Sequence, residues 1–324
     1  MSRLTRVADW ASRHRRLLAL VQLAVLAVFF VSLGWALRGS IHSAARDLDN
    51  ANLVLFALGC AALGGYYLVF VLGWMRILAE WGIQLPYPVA LRAEMISMLA
   101  KYIPGGIWTP AARVVAARRA GVTDAALVTS SMLLEAGLSA VAGVIVFVVS
   151  LPFVDNVKAP IAPLVVFGAV LAILVQPQVF RPLARKVLRR FGYTKELPNL
   201  RARTLTLLLV FYAGTWVLGG LALWLLLRSV GAHPEAATIV FLGGTAAVGA
   251  IVAVVFVFAP SGLGPREASM YGLLLAVATP GQALGAVALN RVALTAVELL
   301  LLLVGGLVLR GARGAAEPAE LPSG

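Results

Sequence analysis

Eight ionisable residues sit inside or against the apolar segments of this 324-residue chain: Glu94, Lys101, Arg113, Glu135, Arg266, Glu267, Arg291 and Glu298. A charge in hydrocarbon must be paired, neutralised or used, so each marks a place to look for chemistry. Spacing suggests partners. Arg291 and Glu298 are seven residues apart and share a helix face, as do Glu94 and Lys101, which are read as a pair; Glu267 is within reach of Arg291. Such pairs lock helices together, or they line a polar path for a headgroup or answer to proton binding.

Two interruptions accompany these charges. One reads Lys101-Tyr102-Ile103-Pro104-Gly105-Gly106-Ile107-Trp108-Thr109-Pro110, the other Pro260-Ser261-Gly262-Leu263-Gly264-Pro265-Arg266-Glu267. Each ends an apolar helix with Pro and Gly and restarts one with Pro in its first turn. Restarting helices expose unpaired N–H groups and a positive dipole end, which suit an anion such as a phosphate. The candidate substrate-binding residues are Lys101, Tyr102, Pro104, Gly105, Gly106, Trp108 and Arg113 at the first break. At the second they are Pro260, Gly262, Gly264, Arg266 and Glu267. Glu94, Glu135, Arg291 and Glu298 form the buried charge network. Arg118 and Arg119 read as a topology-setting face against lipid phosphate.

The elements that must hold these residues are membrane helices. With 61% hydrophobic and 13% charged residues and a mean hydropathy of +0.93, the composition is that of an all-α integral membrane protein. Runs long enough to cross the bilayer occur at about 17–37, 52–75, 123–150, 160–179, 204–228, 236–259 and 284–309, and 266–278 counts as an eighth. Val89–Ile103 reads as a half-helix that turns at Pro104-Gly105-Gly106 and leaves through Pro110–Ala120, capped by Thr109 and ended by Gly121. The fold expected is therefore about eight transmembrane helices plus a re-entrant or broken helix. The two breaks fall at corresponding places in the halves 52–179 and 204–309, the pattern of inverted repeats with a binding site between them.

Net charge is +13, and its distribution explains it. Lys and Arg gather before the first run, between 76 and 122, between 179 and 203, at Arg266, and at Arg310 with Arg313; only Arg38, Arg46, Lys158 and Arg228 fall in the alternate loops. This asymmetry places both termini in the cytoplasm. Run 236–259 stays open between a full span and a re-entrant hairpin, which would put the tail outside. Residues 1–16 are a basic cytoplasmic N-terminus, 17–310 a single transmembrane domain and 311–324 a disordered tail. The first run is too long for a signal-peptide core and is read as retained.

Several function classes are disfavoured. Basic charge set by topology is not a nucleic-acid surface. His14, His42 and His233 are scattered, no metal-ligand spacing or paired-Asp motif occurs, and no Walker-type loop is present, so no metal or cofactor is expected. Cys60 stands alone and can form no disulfide within the chain.

Both breaks, with Glu135 in the following span, resemble the signatures of the lysylphosphatidylglycerol synthase transmembrane-region family over roughly residues 15–310. Pro265 and Ala136 depart from its usual pattern. The resemblance implies a flippase-like unit of the bacterial plasma membrane without the domain that attaches an amino acid to phosphatidylglycerol. It implies translocation of an anionic phospholipid or a polyprenyl-linked lipid, with a headgroup near the breaks. The alternatives are a non-catalytic partner of a lipid-modifying transferase and an integral-membrane transferase with a lipid-phosphate donor. Partners expected are anionic membrane lipids and such a transferase.

Overall fold

The computed structural model describes residues 44–101, 108–155, 157, 161–190, 193, 196–256 and 259–314. The run 17–37, residues 1–16, Tyr102, Pro104, Gly105, Gly106 and the end of the tail lie outside the described residues.

Within them every regular element is helical. Helix α1 (Leu53–Glu80) starts where the Asn52 side chain accepts from the N–H groups of Val54 and Leu55. Helices α2 (Tyr87–Ala100) and α3 (Trp108–Arg119) flank the first break. Asp124 caps α4 (Ala125–Ser150) in the same way, accepting from Ala126 and Leu127. Then follow α5 (Ile161–Leu174), α6 (Pro177–Arg189), α7 (Ala202–Ser229), α8 (Ile239–Val255), α9 (Pro265–Leu274) and α10 (Pro280–Gly314).

The order long helix, shorter helix, Pro/Gly break, short helix, long helix occurs twice. The opening members α1 and α7 each have 28 residues, and the short helices α3 and α9 have 12 and 10. These first members pack against each other at the centre: Gly59 faces Leu226, and Gly73 leaves the notch that admits the Tyr212 side chain. Helix α7 also lies on α8, where Gly220 and Gly243 bring the two backbones together; a Cβ on Gly220 would stand 2.5 Å from Gly243 N and 2.9 Å from its Cα. Small residues at such crossings let membrane helices gain dispersion and backbone contact that lipid cannot supply.

Among the described residues five helices are long and apolar enough to cross a bilayer: Leu53–Glu80, Ala125–Phe153, Ala202–Ser229, Ala236–Val255 and Pro280–Val304. The run expected at 160–179 is not one straight span, because α5 and α6 bend by 78°. Pro177 opens α6, and Gln176 before it is extended (φ −61°, ψ 133°), as steric conflict with the proline ring requires. The stretch expected as an eighth span is α9, whose ten residues reach about 15 Å and cannot cross alone. Helix α3 begins at Trp108, so Thr109 lies inside its first turn and is not the cap. Its end behaves as expected: Gly121 takes φ +89°, and the Val122 N–H returns to Ala117 C=O at 3.0 Å.

Candidate functional site

The two breaks meet. The Ser261 N–H donates to the Lys101 carbonyl at 3.0 Å, so the end of the first half-helix is tied to the turn that follows α8. That turn is sharply wound: Ser261 (φ 53°), Gly262 (φ 66°) and Gly264 (φ 95°) all take left-handed backbone conformations. A Cβ on Gly262 would collide with Ala253. The expected restart at Pro265 follows, with Glu267 reaching back to accept the Gly264 N–H through Oε2 at 2.6 Å. Its Oε1 takes Arg291 Nη1 at 3.2 Å, and Arg291 also donates to the Ser261 carbonyl at 3.3 Å. The expected Glu267–Arg291 pair thus forms, and it fixes both the helix start and the turn.

The Glu94–Lys101 pairing expected from spacing does not form. Glu94 is not joined to Lys101: it pairs with Arg113, whose other terminal nitrogen, Nη1, reaches Glu135 Oε2 at 2.5 Å. Lys101 Nζ instead pairs with Glu298, which also accepts from the Tyr67 hydroxyl. Spacing along one helix could not foresee this, because α3 folds back beside α2 and delivers a guanidinium from another element.

The result is two charge clusters. One comprises Glu94 (0% exposed), Arg113 (2%) and Glu135 (4%), two acids to one base. Arg113 stacks with its guanidinium carbon 4.8 Å from the Trp74 ring centroid and donates from Nε to Ser97 Oγ at 3.2 Å; Trp74 Nε1 in turn donates to Ser131 Oγ at 2.9 Å. Among the described residues the second comprises Lys101, Arg266 and Arg291 with Glu267 and Glu298, three bases to two acids. Lys101 lies within electrostatic reach of Arg266 and Arg291 as well as Glu298.

Arg113 therefore sits enclosed between two carboxylates and is not an open headgroup contact. Arg266 is different. It is half-buried in the first turn of α9, its side chain passes Gly249, and among the described residues no ion pair or hydrogen bond engages its guanidinium. Tyr66 and Tyr67 are within its electrostatic reach. Trp108 is exposed at the start of α3, on the far side of the first break.

Tyr67, Trp74, Ser97 and Tyr212 were not among the candidates read from sequence. Their one signal was polar tips on residues inside apolar runs, which buried aromatic groups normally satisfy with a partner. Among the described residues no cluster of His, Cys, Asp and Glu could hold a metal ion.

This arrangement defines a multi-pass helical membrane protein with paired broken helices. The family model for the lysylphosphatidylglycerol synthase transmembrane region matches residues 17–305, and the chain belongs to that family. Among curated proteins no relative matches.

Proposed function

We propose that this protein is a flippase-like translocator of an anionic phospholipid or a polyprenyl-linked lipid, with the headgroup phosphate held by Arg266. The carrying observation is the imbalance of partners: Lys101, Arg113 and Arg291 each face a carboxylate, and Arg266 faces none among the described residues. Lys101, paired with Glu298, stands beside it and supplies the second contact. Among the described residues three bases meet two acids in this cluster, an excess of one positive charge that a phosphate diester would balance. The repeated element order supports an inverted repeat whose two breaks form the walls of the site. Family membership supports a bacterial plasma membrane setting, and charge asymmetry along the chain supports both termini being cytoplasmic.

The test is leaflet transfer of a fluorescent phosphatidylglycerol in vesicles containing the purified protein. Arg266→Ala lowers the rate by about ten- to a hundredfold, the worth of one charge-assisted hydrogen bond, and Arg266→Lys recovers part of it. Equal rates in wild type and Arg266→Ala would remove the site.

The family's description as part of a synthase favours a second reading, in which the chain is the non-catalytic membrane partner of a lipid-modifying transferase. Co-purification of such an enzyme, with no transfer by the isolated chain, would select it. An integral-membrane transferase would instead leave a covalently altered lipid after incubation with purified protein.

A further inference from the structure

The cluster of Glu94, Arg113 and Glu135 has no role in holding a headgroup, yet it carries one more acid than base at almost complete burial. Glu94 Oε1 and Glu135 Oε1 are buried without a charged donor, and Glu135 faces only the neutral Tyr212 hydroxyl there. A carboxylate oxygen left without a donor in such surroundings costs several times what a hydrogen bond returns, and two carboxylates sharing one site cannot both stay ionised cheaply.

The neighbours do not cancel the surplus. Facing the pair are Tyr66 of α1, Lys101 of α2, Arg113 of α3 and Tyr212 of α7. Lys101 is committed to Glu298 of α10, and Arg266 of α9 lies beyond it. Helices α5 and α8, which also pack against α4, contain no titratable residue. One positive charge therefore serves two acids.

We infer that the Glu94–Glu135 pair is a proton-binding site, holding one proton between its two carboxyl groups and exchanging it as α3 shifts against α2. The step is a plain protonation: a carboxylate oxygen of the pair gains H⁺, an O–H bond forms, and the excess charge disappears with no other bond made or broken. Its placement gives the coupling. Glu94 lies before the first break, Arg113 after it and Glu135 on the long α4, so any movement of α3 against α2 changes which acid holds the guanidinium. The acid that loses Arg113 takes the proton. Coupling to lipid movement rests on the translocator reading; the proton site itself does not.

Infrared spectroscopy of the reconstituted protein with and without ¹³C-labelled glutamate reads the site without reference to transport. At neutral pH the wild type shows an isotope-sensitive carbonyl band of a protonated carboxyl group, which fades as pH is raised. Glu94→Gln and Glu135→Gln each abolish it, because the remaining acid is then balanced by Arg113 and ionised. Arg266→Ala retains it whatever happens to transfer, which separates a failure of the proton site from a failure of the lipid site. No band in the wild type at neutral pH overturns the inference, whether or not the variants fold, and so does a band that survives in both glutamine variants. For coupling, an imposed gradient of one pH unit, about 1.4 kcal/mol, changes the wild-type transfer rate by up to about tenfold. The rate in folded Glu135→Gln vesicles is indifferent to the gradient; indifference in the wild type overturns the coupling.

Discussion

The Ser261 N–H donates to the Lys101 carbonyl across 3.0 Å, joining two helix breaks 160 residues apart in the chain. Ser261 does so in a left-handed conformation, φ 53°, that costs a residue with a Cβ about 1 kcal/mol. Glycine at this position keeps the donor and removes that cost, so Ser261→Gly raises thermal stability in detergent slightly and preserves lipid transfer. Proline loses the donor and cannot adopt the positive φ. Ser261→Pro is expected to uncouple the breaks, with transfer falling to the protein-free background while α-helical content by circular dichroism stays near wild type.

Removing the guanidinium from the Glu94–Arg113–Glu135 cluster strands two buried acids. Arg113→Met is therefore expected to destabilise by about 3–5 kcal/mol, the usual cost of breaking a buried pair. Adding Glu94→Gln and Glu135→Gln to it removes the stranded charges, and this triple variant recovers most of the loss. Melting monitored by intrinsic tryptophan fluorescence in detergent compares the three proteins. A triple variant no more stable than Arg113→Met would show that packing of Arg113 on Trp74, rather than charge balance, holds the cluster.

What the sequence made legible was punctuation. Pro104-Gly105-Gly106 and Pro260 to Pro265 announced the breaks because proline and glycine act locally, and Glu267 announced a need for a partner because a charge beside a break in an apolar chain must be balanced. The run at 160–179 reads as a single span and is not one for a reason of the same local kind: hydropathy continues through Gln176-Pro177, but the backbone does not, and the chain turns by 78°. The partners of Glu94 and Lys101 were beyond reach. Spacing by seven residues places them on one face, and only the fold decides that Arg113 and Glu298, 19 and 197 residues away, arrive on that face first. Long-range pairing in an apolar bundle depends on which helices become neighbours, and a nearly uniform run of Ala, Val and Leu says little about that.

The α7–α8 crossing sets the position of the second break, and it depends on glycine. A Cβ at Gly220 meets only backbone, the Ile239 carbonyl and Gly243 N and Cα, so no side chain can rotate away. Gly220→Ala is expected to cost at least about 1–3 kcal/mol, the range for overpacking a filled interior. Gly214, on the same helix with open space around its would-be Cβ, gives the contrast: Gly214→Ala leaves stability unchanged or raises it by a few tenths of a kcal/mol. Equal melting of the two variants would contradict the close crossing.

Lys101 has two roles to separate, balancing the fully buried Glu298 and contacting a headgroup beside Arg266. Lys101→Met alone leaves Glu298 with the Tyr67 hydroxyl and no cation from α2, so stability falls by about 3–5 kcal/mol and transfer is lost with it. Glu298→Gln removes the charge that needed balancing, and the double variant Lys101→Met/Glu298→Gln is expected to melt near wild type. Transfer distinguishes the roles. If Lys101 supplies the second phosphate contact, the double variant remains about tenfold or more below wild type despite its restored fold, a loss of about 1.4 kcal/mol or more in the transition state. Recovery of both stability and transfer would reduce Lys101 to a structural tie between the first break and α10, leaving Arg266 as the one cation that binds the headgroup.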